Sequence, residues 1–171
     1  MIHIYTGDGK GKTTAATGLT VRALGAGLQV FFAQFIKDGS SSEICFLREH
    51  GGNAFTYFTR GEGKFIHGKP SPETCELAAE TLQALQEALS SGKYNVIVAD
   101  EFLGSLHAGV ISREDAADFI ALAEKYPETE VILTGRNAPQ ELTEKAGLVT
   151  EMKCIKHYFE QKRPPRKGIE M

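Results

Sequence analysis

Thr6-Gly7-Asp8-Gly9-Lys10-Gly11-Lys12-Thr13-Thr14 is the stretch on which the reading of this chain turns. The apolar run Ile2-His3-Ile4-Tyr5 precedes it. From Thr13 to Ala26 apolar residues recur at helical spacing, with Ala16, Leu19, Ala23 and Leu24 on one face. A glycine-rich loop between a strand and a helix is the setting of a phosphate-binding P-loop. Glycines let the backbone curl so that successive N–H groups point inward at phosphate oxygens, and the helix N-terminus adds partial positive charge. Gly7, Asp8, Gly9, Lys10, Gly11, Lys12, Thr13 and Thr14 are therefore the candidate nucleotide ligands. Lys12 would reach the terminal phosphates, and the Thr13 hydroxyl would ligate Mg²⁺. The usual pattern, G-x-x-x-x-G-K-[ST], puts a glycine five residues before Gly11. Here that position is Thr6, and Gly7 stands one residue late.

A second element supports the first. Val96-Ile97-Val98-Ala99-Asp100-Glu101 reads as a Walker-B strand, apolar and ending in carboxylates that can bind Mg²⁺ directly or through water. Standing alone, the same run would be an ordinary buried strand ending in solvated acids. Thr134-Gly135-Arg136 ends the next strand, and Arg136 there is either a clamp on phosphate charge or a surface arginine after a turn glycine. Arg22, nine residues after Thr13 on the P-loop helix, is by spacing either a rim residue that meets nucleotide or a surface charge.

Strand and helix patterns alternate along the rest of the chain. Buried strands are expected over 28–36, 54–58, 95–100 and 130–134, with a final strand over 148–154. Helices are expected over 43–50, 72–91 and 139–146, and one more is capped at Ser112. In the helix over 72–91, Leu77, Ala78, Leu82, Leu85 and Leu89 face inward. The segment 59–71, with three glycines and several charges, is too long for a plain connector and is a candidate functional loop. The alternation predicts an α/β fold with a mostly parallel sheet and helices on both faces. Ligands of such sheets bind at the carboxyl ends of the strands, so the loops after Tyr5, Ile36, Asp100 and Thr134 should share one rim. Residues 1–159 form one expected P-loop α/β domain and 160–171 a basic, proline-containing C-terminal tail, with no internal repeat.

Composition narrows the classes. The chain has 171 residues, enough for one domain with a sizeable core and no staples. A hydrophobic fraction of 42% excludes a mainly disordered chain. The net charge of -3 argues against nucleic acid as a partner. Cys45, Cys75 and Cys154 are odd in number and lack C-x-x-C spacing, and no H-E-x-x-H occurs, so a zinc site or disulfide framework is not expected. Met1–Tyr5 has no signal-type character, and the apolar runs are too short to span a bilayer. A cytoplasmic protein with no membrane partner is the expectation.

A P-loop does not say which bond breaks. The chain lacks Asn-Lys-x-Asp, Leu-Ser-Gly-Gly-Gln and His-Arg-Asp, which disfavours a GTPase, a transporter ATPase and a protein kinase. No clear general base for a hydroxyl acceptor stands out. A P-loop ATPase or small-molecule kinase, or a non-catalytic nucleotide-binding module, stays open on the residues alone.

The P-loop with its preceding Tyr5-Thr6 resembles that of the P-loop corrinoid adenosyltransferases, which share the short glycine spacing. Ordered matches follow: Val21-Arg22-Ala23-Leu24-Gly25, Gln34-Phe35-Ile36-Lys37, Asp100-Glu101, Leu133-Thr134-Gly135-Arg136, Leu148-Val149-Thr150-Glu151-Met152, Lys156-His157-Tyr158-Phe159 and Lys167-Gly168-Ile169-Glu170. The resemblance implies a RecA-like P-loop NTPase fold and a homodimer. It implies transfer of the 5′-deoxyadenosyl group of ATP to the Co(I) centre of a reduced corrinoid, with release of triphosphate. ATP and the corrinoid would be the substrates, Mg²⁺ the metal, and a reductase or flavodoxin-type protein the electron donor. By matching position, Lys12 and Arg136 would be catalytic, and Thr13 and Glu101 would serve Mg²⁺. Two departures fall near the acceptor. Some relatives carry Gly-Phe-Thr-Trp in the loop after the third strand, where this chain, with no tryptophan, has Phe58-Thr59-Arg60-Gly61-Glu62-Gly63-Lys64-Phe65-Ile66. Phe65 is the candidate corrinoid-facing aromatic, or else a packing residue. After Asp100-Glu101, Phe102-Leu103 replaces the Ile-Asn of many relatives. The tail is either a closing segment over the active site or partner subunit, a nucleic-acid arm lacking the usual aromatics, or a solvated terminus.

Overall fold

The structure, a computed structural model, describes residues 1–63, 66 and 68–170, with Phe159 described by its backbone only. Six strands, β1 (Ile2–Thr6), β2 (Val30–Gln34), β3 (Phe55–Thr59), β4 (Val96–Asp100), β5 (Glu130–Thr134) and β6 (Leu148–Glu151), form one sheet in the order β3-β2-β4-β5-β1-β6. Every pairing is parallel. Helices α1 (Lys12–Gly25), α2 (Ser42–His50), α3 (Pro72–Ser90), α4 (Phe102–His107), α5 (Arg113–Ala123) and α6 (Gln140–Thr143) connect them.

The strand interiors explain the burial. β2 and β4 are buried at all five positions, as central strands covered on both faces must be. Alternate side chains feed two cores. Phe31, Ala33, Ile97 and Ala99 pack with Leu82, Leu85, Phe102 and Phe119 on the α3 and α5 side. Val30, Phe32, Val96 and Val98 pack with Ala16, Ala23 and Ile44 on the α1 and α2 side. The same alternation turns Gln34 and Asp100 toward the α1 side at the strand ends, and the parallel register sets them side by side. At α5, Ser112 and Asp115 form a capping box, with the Ser112 Oγ accepting from the Asp115 N–H at 3.0 Å.

Three elements differ from the sequence expectations by two or more residues. The second strand runs 30–34 rather than 28–36, because Ile36 takes a left-handed conformation, φ 65°, and ends it. The last strand stops at Glu151 rather than Cys154, because the Met152 carbonyl turns to accept the Gly9 N–H at 2.6 Å. Helix α6 is four residues long against an expected 139–146. Among the α-helices of the described residues, α4 has no counterpart in the sequence reading. It is six residues long, too short to show a helical period, and is held by burial of Phe102, Leu103 and Leu106.

Candidate active site

The loops after β1, β2, β4 and β5 meet at one rim, as the parallel topology requires. A left-handed, non-glycine residue follows three of these strands: Ile36 (φ 65°), Glu101 (φ 61°) and Asn137 (φ 56°). Such conformations cost free energy and persist where the surroundings over-determine them.

The phosphate loop is built on β1 and on the segment after β6. Thr6 still belongs to β1, paired with Glu151, and its carbonyl accepts the Met152 N–H at 2.8 Å. The chain can leave the sheet only at the next residue, which places the first loop glycine at 7 rather than 6. Gly7 has φ 101°, and a Cβ there would lie 2.5 Å from the Met152 carbonyl oxygen, so no larger residue fits. The Lys12 Nζ is nearly buried and donates to Gly7 O at 2.7 Å and Gly9 O at 2.8 Å. Burial, and then the nearby Arg136 charge, push its pKa down.

Behind the loop lies a carboxylate cluster. Asp100 is fully buried. Its Oδ1 accepts from Thr13 Oγ1 at 2.8 Å and Thr134 Oγ1 at 2.6 Å, and its Oδ2 accepts from Gln34 Nε2 and Lys37 Nζ, both at 2.8 Å. Burial opposes its ionisation, but the Lys37 charge and these bonds prevail and hold its pKa below the usual carboxylate value. Burial likewise works against the Lys37 ammonium, and Asp100 outweighs it, so that pKa is raised. Glu101 differs. Burial first, then the Asp100 charge, push its carboxyl pKa up. Gly104 leaves room for it, since a Cβ there would come within 2.8 Å of Glu101 Oε2.

These shifts give the first prediction. A carboxyl whose pKa is raised by folding adds stability below its unfolded value, about 4.3, and loses it as pH rises. Ionised Glu101 therefore weighs against the fold at pH 7. Glu101→Gln should raise the melting temperature at pH 7 by about 2–4 °C for each kcal/mol relieved, with the gain vanishing near pH 4. Melting curves at the two pH values check this, and a lower melting temperature at pH 7 would refute it.

The structure brings most of the sequence candidates together. A cavity of ≈740 Å³ is lined by residues 10–14, Lys37, Glu101 and Gly168–Glu170, among others. Asp8 reaches Arg136 at 3.8 Å, which sets Arg136 beside the phosphate loop. Asp100, rather than Glu101, makes the direct contact with Thr13. Arg22 is not brought to the loop. It is exposed in the last turn of α1, about 14 Å along the helix axis from Thr13 at 1.5 Å per residue. Phe65 lies outside the described residues. Its neighbours Gly61, Glu62 and Ile66 line a separate cavity of ≈290 Å³ against α3. Lys10 donates to Ile169 O at 2.7 Å and pairs with Glu170 at 3.4 Å. Arg166 in turn grips Glu170 and stacks on Tyr158, and the Arg166 bonds pull the Glu170 pKa down to about 2. Sequence reasoning gave Lys37, Gln34 and Thr134 no role. Their signal was weak: polar residues at or just past the ends of apolar strands neighbouring Asp100.

A fully parallel sheet, a phosphate loop opening α1, and a buried carboxylate bonded to the loop threonine define a P-loop nucleotide-binding protein of the RecA-like kind. The flagellar accessory protein FlaH from Methanocaldococcus jannaschii shares this fold, with a TM-score of 0.54 at 18% identity over 88% of this chain and 69% of that one. So does the RadB recombinase, at 0.51 and 16% identity over 91% and 75%. Within that class the chain belongs to the ATP:corrinoid adenosyltransferase BtuR/CobO/CobP family, whose model matches residues 1–171. Corrinoid adenosyltransferases of a Sinorhizobium species and of Pseudomonas aeruginosa are 32% and 30% identical. Each match covers 99% of this chain, and 79% and 83% of the relatives. The corrinoid adenosyltransferase of Escherichia coli K12 is 29% identical over 99% of this chain and 85% of its own. The chain is thus a transferase whose substrates are ATP and a corrinoid. The described cysteines are all free, and among the described residues no helix is long and apolar enough to cross a membrane.

Proposed function

We propose that the phosphate loop of this adenosyltransferase holds a leaving group, triphosphate, while the Co(I) centre of a reduced corrinoid attacks the C5′ carbon of ATP. The C5′–O bond breaks and its electron pair leaves on the triphosphate oxygen. The cobalt nucleophile carries no proton, so no side chain need act as a base. Loop N–H groups and Lys12 would stabilise the charge developing on triphosphate, with Arg136 as a second clamp from the rim. The observation that carries this reading is a single cavity lined by the phosphate loop and Glu101 in a chain that matches the family along its whole length.

The donor set suits a hard divalent cation: a hydroxyl, Thr13 Oγ1, backed by buried Asp100, with the Glu101 carboxylate on the same cavity. Thr13 and Glu101 would hold Mg²⁺, and Asp100 would orient the Thr13 hydroxyl. When bound, the metal would supply charge neutralisation on the departing triphosphate. The tail, 160–171, would close over the nucleotide through the contacts of Ile169 and Glu170 with Lys10. A homodimer is part of the same reading, supported by the exposed edge strand β6 with Leu148 and Val149. Sedimentation at the mass of one chain would count against it. A reductase or flavodoxin-type electron donor and a reducing cytoplasm complete the reading.

The test is anaerobic incubation with Mg-ATP, with and without chemically reduced cobalamin, followed by phosphorus NMR. Triphosphate appearing only with the corrinoid is expected. ADP and phosphate appearing without it would overturn the leaving-group assignment. The same assay on a chain ending at Pro165 reads the tail, whose loss should slow transfer; an unchanged rate would remove the tail from the site.

A further inference from the structure

Lys37 has no part in the reading above, yet its ammonium stands at the centre of the cluster. Its Nζ lies 2.8 Å from Asp100 Oδ2, 3.0 Å from Thr13 Oγ1 and 4.0 Å from Glu101 Oε1. The backbone aims it there. The preceding residue, Ile36, is β-branched and left-handed, a conformation such residues avoid. The turn is pinned on both sides: the Lys37 N–H donates to Phe35 O at 2.6 Å, and the Lys37 carbonyl accepts from Thr59 Oγ1 at 2.6 Å. Strain held in place by several bonds marks a side chain whose direction matters.

The position of the ammonium shows what it does. Within reach of the Thr13 hydroxyl, the Lys37 ammonium already answers the Asp100 and Glu101 carboxylates, while Lys10, Asp38, Glu43 and Glu170 lie elsewhere on the cavity wall. A divalent ion entering alone would have to sit beside that ammonium, in contact with the same carboxylates. A hard cation bound to Thr13 Oγ1 and Glu101 at about 2.0–2.1 Å would also crowd an ammonium that contacts the same hydroxyl. A divalent ion arriving with ATP brings four negative charges, and the long lysine side chain can then follow phosphate within the same cavity.

We infer that Lys37 is the built-in counter-cation of the metal site: it keeps Thr13 and Asp100 assembled, excludes a lone divalent ion, and yields its place only when metal arrives with triphosphate. The inference rests on the assignment of Thr13 and Glu101 as metal ligands. Lys37 is a positioning residue, acting through Thr13 and Asp100.

The test uses Mn²⁺ as the probe, read by electron paramagnetic resonance, with the full chain free of nucleotide. Lys37→Gln keeps a donor for Asp100 but removes the charge, and Asp100 retains Thr13, Gln34 and Thr134. Lys37→Arg keeps the charge. Lys37→Gln should bind Mn²⁺ roughly tenfold or more tightly than the wild type, and Lys37→Arg should resemble the wild type. A rise in melting temperature on adding Mn²⁺, present in Lys37→Gln alone, is the second readout. Equal Mn²⁺ binding by wild type and Lys37→Gln, or no binding by either, would overturn the inference. The metal assignment has its own control: with ATP present, the wild type should hold Mn²⁺ more tightly than Thr13→Val. Failure of that control removes the metal ligands themselves, whatever the nucleotide-free result.

Discussion

Lys12→Ala is expected to lower adenosyl transfer by about 10²–10³-fold while leaving the fold intact. Among the described residues the side chain bonds only to the loop carbonyls of Gly7 and Gly9, and it belongs to neither hydrophobic core. Alanine is the best helix former, so the first turn of α1 survives the change. What is lost is a cation aimed where triphosphate charge grows as the C5′–O bond lengthens. That interaction strengthens in the transition state, so kcat should fall with kcat/KM rather than KM rising alone. Lys12→Arg should not rescue transfer, because a planar fork cannot replace a compact ammonium between two carbonyls. Triphosphate release measured by phosphorus NMR, beside a melting curve, checks both parts. Retention of more than about a tenth of the wild-type rate would show that Lys12 does not carry the leaving group.

How far the site could be read in advance depended on whether a residue's role is local. The phosphate loop was legible because its function follows from backbone freedom and the helix start, both written in consecutive residues. The displaced glycine was visible but had no explanation in sequence. It needs the pairing of Thr6 with Glu151 and the close approach of Met152, residues far along the chain. The sheet and its two faces were legible because the central strands β2, β4 and β5 are mostly apolar, as strands covered on both faces demand. Short α4 was not, since six residues, four of them buried, are too few to show a period. Asp100 and Glu101 could not be told apart by type or position. Strand alternation turns the first inward to Thr13, and the left-handed turn at the second swings it onto the cavity. Lys37 was hidden for a related reason. Its place depends on the register of Gln34 with Asp100 and on one unusual backbone angle at Ile36, and neither leaves a mark in composition or spacing.

Asp100→Ala is expected to damage stability and activity together. Asp100 is the shared acceptor for four side chains, Thr13, Gln34, Lys37 and Thr134, and it is fully buried. Removing it takes the carboxylate acceptor from Thr13, Gln34 and Thr134 and leaves the Lys37 ammonium only Thr13 Oγ1 at 3.0 Å and Glu101 Oε1 at 4.0 Å. Breaking a buried pair from one side costs about 3–5 kcal/mol. The Lys37 side chain is 35% exposed, so water can reach it, and the lower end, about 3 kcal/mol, is the expectation. That corresponds to a drop in melting temperature of roughly 10 °C for a chain of this size. Transfer should fall by about a hundredfold or more, because the Thr13 hydroxyl loses the partner that orients it. The pH dependence separates this account from simple loss of packing. Folding lowers the Asp100 pKa, so its contribution is present above the unfolded value of about 3.9 and is lost as pH falls through the folded value. Denaturant unfolding at pH 7 and pH 3 should therefore show a smaller gap between wild type and variant at the second than at the first. An equal gap at both would mean that the cavity left by the side chain, not its charge, sets the cost. The double variant Asp100→Leu with Lys37→Met carries the argument one step further. Replacing both charges with apolar groups removes the unpaired ammonium, so stability should recover most of the loss. Transfer should not recover, since Thr13 would still lack its carboxylate. A double variant as unstable as Asp100→Ala would show that the pair contributes through shape rather than charge.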